Sequence, residues 1–552
     1  MLPPVSRRKK QRRPASHQRR ELPLAELVGI IERAKSAPLS EADCITLKTA
    51  VDTLSFLTQE LAAKGTTLER LRKMLFGAST EKTSQVVAGA RAAAGARTPH
   101  DETQKKTPPV GHGRHGAAAY PGAEKVKVPH ASLKGGCGCP GCEKGKVYPL
   151  KEPAVLLRIQ GMAPLGATLY EKERLRCNLC GEIYTAASPP GVGDEKYDAT
   201  AAGMIGLLKY GAGLPFYRIE KLQKGLGIPL PSATQWDIVL RAAALLAPAH
   251  AELVNQAAQG EVLHNDDTTA KILEITGSRD EEAPPGRARA RTGVFTTGIV
   301  AKCQEHRVAL FFTGRQHAGE NLADVLAHRS AALAAPIQMC DALSRNLPGD
   351  LETILAHCLA HARRRFVDVA PDFPDECLHL LETLRDVYNT DAIARDTGLS
   401  PEERLHLHQS KSGPLMKDLN HWLRAQLEER KVEPNSGLGE AIAYMLKHWQ
   451  KLTLFLRVPG APLDNNICER ALKRAILHRK NALFYKTQNG ADVGDTFMSL
   501  IHTAELNGQN PFDYLVALQQ NEGDVTASPE EWMPWTYQAT LAKIAQGRCS
   551  SA

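Results

Sequence analysis

The spacing of apolar residues changes several times along this chain, and each change marks a different kind of element. Leu47, Leu54, Leu61, Leu68 and Leu75 recur every seven residues, with Leu57 and Leu71 partly filling the second seam position. That period predicts a helical, leucine-zipper segment within 21–84. Its stripe either pairs two copies as a coiled coil or packs on its own domain. Residues 85–135 are rich in Ala, Gly, Pro, Thr and Lys without apolar period, and read as a linker. Residues 196–258 return to helical spacing. Within them a helix at Tyr217–Gly225, a turn with Gly227 and Pro229, and a second helix capped by Ser232 resemble a helix-turn-helix. Such a unit either binds DNA or is a plain helical hairpin supporting the next domain.

From residue 259 the pattern becomes strands and then helices. EVLHNDD, RTGVFTTGIVAK and HRVALFFTG are three successive strands, ENLADVLAHRSAAL is an amphipathic helix, and APIQMCD is a fourth strand. ILAHCLAHA is a possible fifth, before the basic ARRRF. This order opens an RNase H-like α/β core, with a first part at 259–371 and a second part at 456–520. Between them, 372–455 reads as a helical insertion, and 521–552 as a C-terminal tail. The insertion begins acidic, with nine acids between Asp372 and Glu403 against Arg385 and Arg395, which fits protein contacts better than DNA.

In that core the first and fourth strands are neighbours, so acids at their ends converge. Carboxylates so placed suit two magnesium (or manganese) ions, which activate an attacking oxygen and stabilise a leaving one. Asp341 ends the fourth strand, and Glu469, in PLDNNICERALKRAILHRKNALF, is the third acid, on a helix that Asp464 can cap. Each acid also has an ordinary reading as a turn residue or, for Glu469, an i,i+4 ion pair with Lys473. Basic side chains flank two of them. Arg363, Arg364 and Arg365, then Arg470, Lys473, Arg474, Arg479 and Lys480, suit a phosphate backbone. His357, Cys358 and His361 read as packing and phosphate contacts rather than as a metal site.

Charge and cysteine content refine this picture. The net charge of +8 lies wholly in residues 1–20, a basic disordered tail with eight Lys and Arg and no acid. The remainder balances, which excludes a uniformly basic protein and leaves DNA binding to the tail and to local patches. No apolar run reaches the ~20 residues of a bilayer span, and the tail lacks the apolar stretch of a signal peptide. A cytoplasmic protein without membrane contact is expected. Cys139 with Cys142, and Cys177 with Cys180, form two C-x2-C pairs in a zinc ribbon-like domain at 136–190. Four thiolates would close a tetrahedral site around one structural zinc.

Several of these stretches together resemble the transposases of the insertion sequence 66 family, which are DDE enzymes. The likeness runs from about residue 47 to 520. It rests on LRKMLFGASTEK, the two C-x2-C pairs, LKYGAGLPFYRIEKLQKGLGIPL, HNDDTT, FFTGRQHAGE, MCDALSRN, HCLAHARRRF, PLDNNICERALKRAILHRKNALF and SLIHTAELNGQNPFDYL, in the family's order. The resemblance implies a catalytic triad of Asp266, Asp341 and Glu469. HNDDTT resembles the family's His-x-Asp-Glu-Thr-Pro, with Asp267 and Thr269 as departures, and strand alternation sends Asp266 and Asp267 to opposite faces. MCDALSRN departs from the Asp-Gly-Tyr that is commoner after the second acid.

The implied function is metal-dependent 3′-end cleavage and strand transfer on double-stranded DNA, at element ends and target. A homo-oligomer, accessory proteins of the same element and a nucleoid-associated place in a bacterial cytoplasm would accompany it. The alternative is a non-catalytic or decayed transposase-derived DNA-binding regulator, for which zipper, zinc site and helix-turn-helix would suffice.

Overall fold

The computed structural model describes residues 195–277 and 293–550 without a break, and parts of 30–48, 132–148 and 163–193. Leu54, Leu61, Leu68 and Leu75, the basic tail, and Cys139, Cys142, Cys177 and Cys180 lie outside the described residues. Residues 1–88 form a unit of their own. In it, 41–48 are helical and carry the half-buried Leu47, and Arg33 pairs with Asp43 at 2.7 Å.

The second unit begins with small antiparallel pieces. Gly138 bridges Lys146 on either side of the first cysteine pair. β1 (Arg174–Arg176) pairs with β2 (Ile183–Thr185) on either side of the second.

α1 (Ala199–Gly206) starts where the Asp198 carboxylate accepts from the Ala201 amide, and it continues into a π-helical turn, Leu207–Gly211. α2 (Phe216–Gly225) and α3 (Ser232–Ala258) follow, joined by a turn in which Gly227 takes φ +78°. That dihedral is strained for a residue with a Cβ. Ser232 does not cap α3. Pro231 holds the cap position, while the Ser232 amide and hydroxyl both donate to Glu220 of α2, at 3.0 and 2.5 Å. A carboxylate within reach outcompetes the weaker bond the hydroxyl could make to its own helix.

β3 (Val262–Thr269) is buried over its first four residues and bears both aspartates. β4 (Phe295–Cys303) and β5 (His306–Gly314) form the following hairpin. α4 (Ala318–Leu326) is shorter than its amphipathic pattern. Arg329, just beyond it, donates to the carbonyls of Ala258, Gly260 and Ala334 and turns the chain back. β6 (Ile337–Cys340) ends one residue before Asp341. The expected fifth strand is half strand and half helix, as β7 (Ile354–His357) and α5 (Leu359–Val369).

The stretch read as an insertion contains α6 (Pro374–Asp396), α7 (Pro401–Glu428) and α8 (Gly437–Lys447). α6 packs on α7, and α8 returns to α5. Then come α9 (Asn466–Ala482), α10 (Gln488–Leu506), α11 (Pro511–Gln520) and α12 (Tyr537–Ser550).

The result is a mixed α/β body around a five-stranded sheet of order β5-β4-β3-β6-β7. β4 runs antiparallel to both neighbours, and β3, β6 and β7 are mutually parallel. α3, α9 and α10 pack on the sheet and α11 packs on α1, α3 and α10, in one apolar core that includes Leu246, Leu253, Ile299, Leu310, Phe497 and Leu515. No described helix is long and apolar enough to cross a membrane.

The outer edge of β5 is closed in a particular way. The amides of Arg307, Ala309, Phe311 and Thr313 donate to Asn507, Thr503, Ser499 and Asp495 of α10 and the residue after it, at 3.2, 3.0, 3.0 and 2.5 Å. Every second strand residue meets every fourth helix residue. The steps match, since four helical residues rise ~6 Å and two strand residues ~6.6 Å. A polar helix stripe thus stands in for a sixth strand and removes an exposed edge.

Candidate active site

Asp266, Asp341 and Glu469 come from three elements that the sheet brings to one place. β3 and β6 are direct neighbours, with His264 opposite Met339, so their C-terminal ends lie together. Asp266 lies on β3 and Asp341 immediately follows β6. Glu469 sits in the first turn of α9, which packs on β3 and β4. The close approach of α9 depends on Gly298, which faces Asp266 across the β3–β4 ladder. A Cβ there would lie 3.0 Å from Leu472 of α9, and the Cys468 thiol already donates to the Gly298 carbonyl at 3.2 Å.

Four buried amide side chains, Asn265, Gln338, Asn346 and Asn465, fix the frame. Asn465, just before α9, donates from Nδ2 to the Asn265 carbonyl at 3.1 Å, and its Oδ1 lies 3.1 Å from His264 Nδ1. Burial pushes His264 down to about 4, so the ring is neutral and donates its Nδ1 proton to that oxygen. Asn465 thereby ties the Glu469 helix to the Asp266 strand. On the other side, Asn265 and Gln338 both donate to the Asn346 carbonyl, at 2.8 and 2.7 Å, while Asn346 donates its side-chain amide to Asp341. The Asp464 carboxylate accepts from the Asn466 amide at 3.0 Å, although Asn465 holds the cap position.

The charge of Asp266 is uncompensated. Burial, then the neighbouring charges of Asp341, Asp267 and Glu469, push the Asp266 carboxyl up to about 7, against the bond it accepts from the Asp267 amide at 2.8 Å. Asp266 has no cationic partner among the described residues. This all-oxygen donor set, with excess negative charge, fits hard divalent cations such as magnesium or manganese. Asp267 points elsewhere. Its side chain is 2% exposed and pairs with His317 Nδ1 at 2.9 Å and Arg345 at 3.3 Å.

The basic residues divide. Arg364, Arg365, Arg470, Lys473 and Lys480 are exposed. Arg365 lies over the Tyr444 ring, 3.9 Å from its centre. Arg363 is 6% exposed, on the inner face of α5, unlike its neighbours Arg364 and Arg365. Arg474 is held in an ion pair with Glu505, and Arg479 donates to the Thr268 and Thr269 hydroxyls at 3.3 and 2.5 Å. Both secure α9, and neither guanidinium is freely presented.

The HCLAH segment also differs from expectation. His357 turns towards His448, with ring centres 5.0 Å apart, but Cys358 and His361 approach Glu469, His361 Nε2 lying 3.6 Å from its carboxylate. Sequence reasoning missed this approach, together with the framing roles of Asn265, Gln338, Asn346 and Asn465. The one available signal was the density of amides beside the acids in HND, MCDALSRN and PLDNN.

Comparison with known proteins adds a family. The profile of the transposase IS66 family matches residues 197–493, which include all three acids. The uncharacterized protein y4jD of Sinorhizobium fredii is 29% identical over 389 residues, covering 67% of this chain and 72% of its own. The uncharacterized protein y4hP of the same organism is 29% identical over 405 residues, covering 67% and 68%.

Proposed function

The chain belongs to the transposase IS66 family, and from that premise we propose that it is a DDE transposase with an RNase H-like core, cleaving DNA 3′ ends at an insertion sequence and joining them to target. The observation that carries this reading is the meeting of Asp266, Asp341 and Glu469 at the ends of two adjacent parallel strands and one helix. The strand order, with β4 the sole antiparallel member of the sheet, supports the fold assignment.

Asp266, Asp341 and Glu469 would hold two magnesium or manganese ions. Bound there, such ions would activate the attacking oxygen and stabilise the leaving one. The rest of the work belongs to the protein. Asn346 directs the Asp341 carboxylate, Asn465 sets the depth of α9, and Gly298 lets Glu469 approach Asp266. Exposed Arg364 on α5, and Arg470, Lys473 and Lys480 along α9, would neutralise phosphates. No nucleophilic side chain is required, since water and then a DNA 3′-hydroxyl supply the attacking oxygen.

The N-terminal parts carry recognition in this reading. Cys139, Cys142, Cys177 and Cys180 hold one zinc, a reading supported by their two C-x2-C spacings and by the antiparallel pairings of Gly138 with Lys146 and of β1 with β2 that bracket them in sequence. The α2–α3 unit reads element ends, and the leucine repeat from Leu47 to Leu75 makes a homo-oligomer. The protein then works at chromosomal DNA in the bacterial cytoplasm, alongside accessory proteins of its element.

Incubation of the full chain with element-end DNA, a target plasmid and magnesium should give joined products. Asp266→Asn, Asp341→Asn and Glu469→Gln should each abolish joining while leaving end binding intact. Full joining by those variants would sink the assignment.

A further inference from the structure

Beside the three carboxylates lies a second set of donors with different chemistry. Cys358 occupies the N-cap position of α5, His361 lies in its first turn, and Glu469 faces them from the first turn of α9. The Cys358 sulfur, a His361 ring nitrogen and a Glu469 oxygen all lie within 4.8 Å of one another. The His361–Glu469 separation of 3.6 Å is close to the ~3.4 Å between two ligands that each sit ~2.0–2.1 Å from a tetrahedral ion.

One further observation points to a ligand. The Cys358 sulfur accepts from the Asn465 amide at 3.3 Å, at the positive end of a helix, which is an environment prepared for negative charge. Burial nevertheless pushes the thiol up to about 12. A cation coordinated directly to the sulfur would deprotonate it.

We propose that Cys358, His361 and Glu469 form a binding site for a thiophilic divalent cation of the zinc type, separate in ligand class from the oxygen site but sharing Glu469 with it. One sulfur, one imidazole nitrogen and one carboxylate suit zinc or cobalt and are poor ligands for magnesium, which takes oxygen ligands in octahedral geometry. Three protein ligands leave a fourth position for water. Because Glu469 serves both sets, a cation at the soft site draws that carboxylate away from Asp266 and Asp341. Zinc would therefore oppose magnesium-dependent cleavage. The binding claim stands apart from the DNA chemistry, and only this last consequence rests on the transposase reading.

Cobalt(II) titration of the full chain tests the site by its thiolate-to-cobalt absorption. Wild type is compared with Cys358→Ala and His361→Gln. Other thiol sites contribute equally to all three proteins and cancel in the difference. The expected result is one cobalt equivalent more in wild type than in either variant, with affinity at this site weakened at least about 100-fold by each change. Excess magnesium should leave the difference intact. Equal cobalt stoichiometry in wild type and the folded variants overturns the proposal. If Cys358→Ala fails to fold, the partly exposed His361→Gln decides alone by the same criterion. Normal cobalt binding by a protein that never joins DNA would instead count against the transposase reading and leave this site standing.

Discussion

The two faces of β3 treat adjacent, chemically identical residues in opposite ways. On one face Asp267 is buried against His317 and Arg345, and its charge is matched. On the other, Asp266 is buried beside Asp341 and Glu469 with no cationic partner among the described residues, and its carboxyl is driven up to about 7. The paired face holds α4 and the turn after β6 to the sheet, since His317 opens that helix and Arg345 lies in the turn. The unpaired face retains a cost that a bound cation would remove. Pairing inside the chain marks a structural acid, and lack of pairing marks one reserved for a ligand.

The largest effect should come from breaking the unpaired face. Asp266→Asn should lower strand transfer by at least about 10³-fold, on the order of 4 kcal/mol of barrier. A gel assay of joined product measures it. Asp267→Asn should leave measurable transfer, and a reversal of that order would assign the roles the other way.

Stability should respond in the opposite sense. An unfolded aspartate titrates near ~3.9, so between about 4 and 7 the folded protein keeps a proton that the unfolded chain has released. The contribution of this group is therefore full below about pH 4 and is lost as pH rises through about 7, at up to ~1.4 kcal/mol per pH unit. Denaturant melts of metal-free protein should show Asp266→Asn gaining relative to wild type as pH rises, by up to about 4 kcal/mol at pH 8. Magnesium should raise the wild-type melting temperature more at pH 8 than at pH 5.5. An equal magnesium shift in Asp266→Asn would contradict the comparison.

Asp267→Asn should destabilise, by about 1–3 kcal/mol. Breaking a fully buried pair costs more, but Arg345 is 43% exposed and keeps access to water. Asn465→Ala should cost about 1–2 kcal/mol by leaving the Asn265 carbonyl and the His264 ring proton unmatched. It should lower the rate of joining more than the affinity for DNA, because α9 loses its register against β3. The smallest effects belong to Lys473→Ala and Lys480→Ala. Each should weaken binding evenly across DNA sequences and reduce the salt slope by about 1. An unchanged slope would remove that lysine from the DNA surface.

Local periodicity determined much of this molecule. The strand at His306–Gly314 is the stretch read from its apolar alternation, and the first and fourth strands are neighbours as expected. Period-2 alternation was enough to separate Asp266 from Asp267, because side-chain direction along a strand is a local property. What no local pattern states is which partner each side chain meets. Asp267 finds His317 fifty positions away, and Asn465 finds Asn265 two hundred positions away. Arg363 looked like its two neighbours until the packing of α5 turned it inward. Asp495, Ser499 and Thr503 read as ordinary helix residues and proved to be the edge of a sheet. The order of residues set the elements and the faces they present, since those follow from backbone geometry within a few residues. Tertiary structure alone decided which charges are matched, which amides are covered and where sulfur meets carboxylate, because each depends on two segments packing at one depth and in one register.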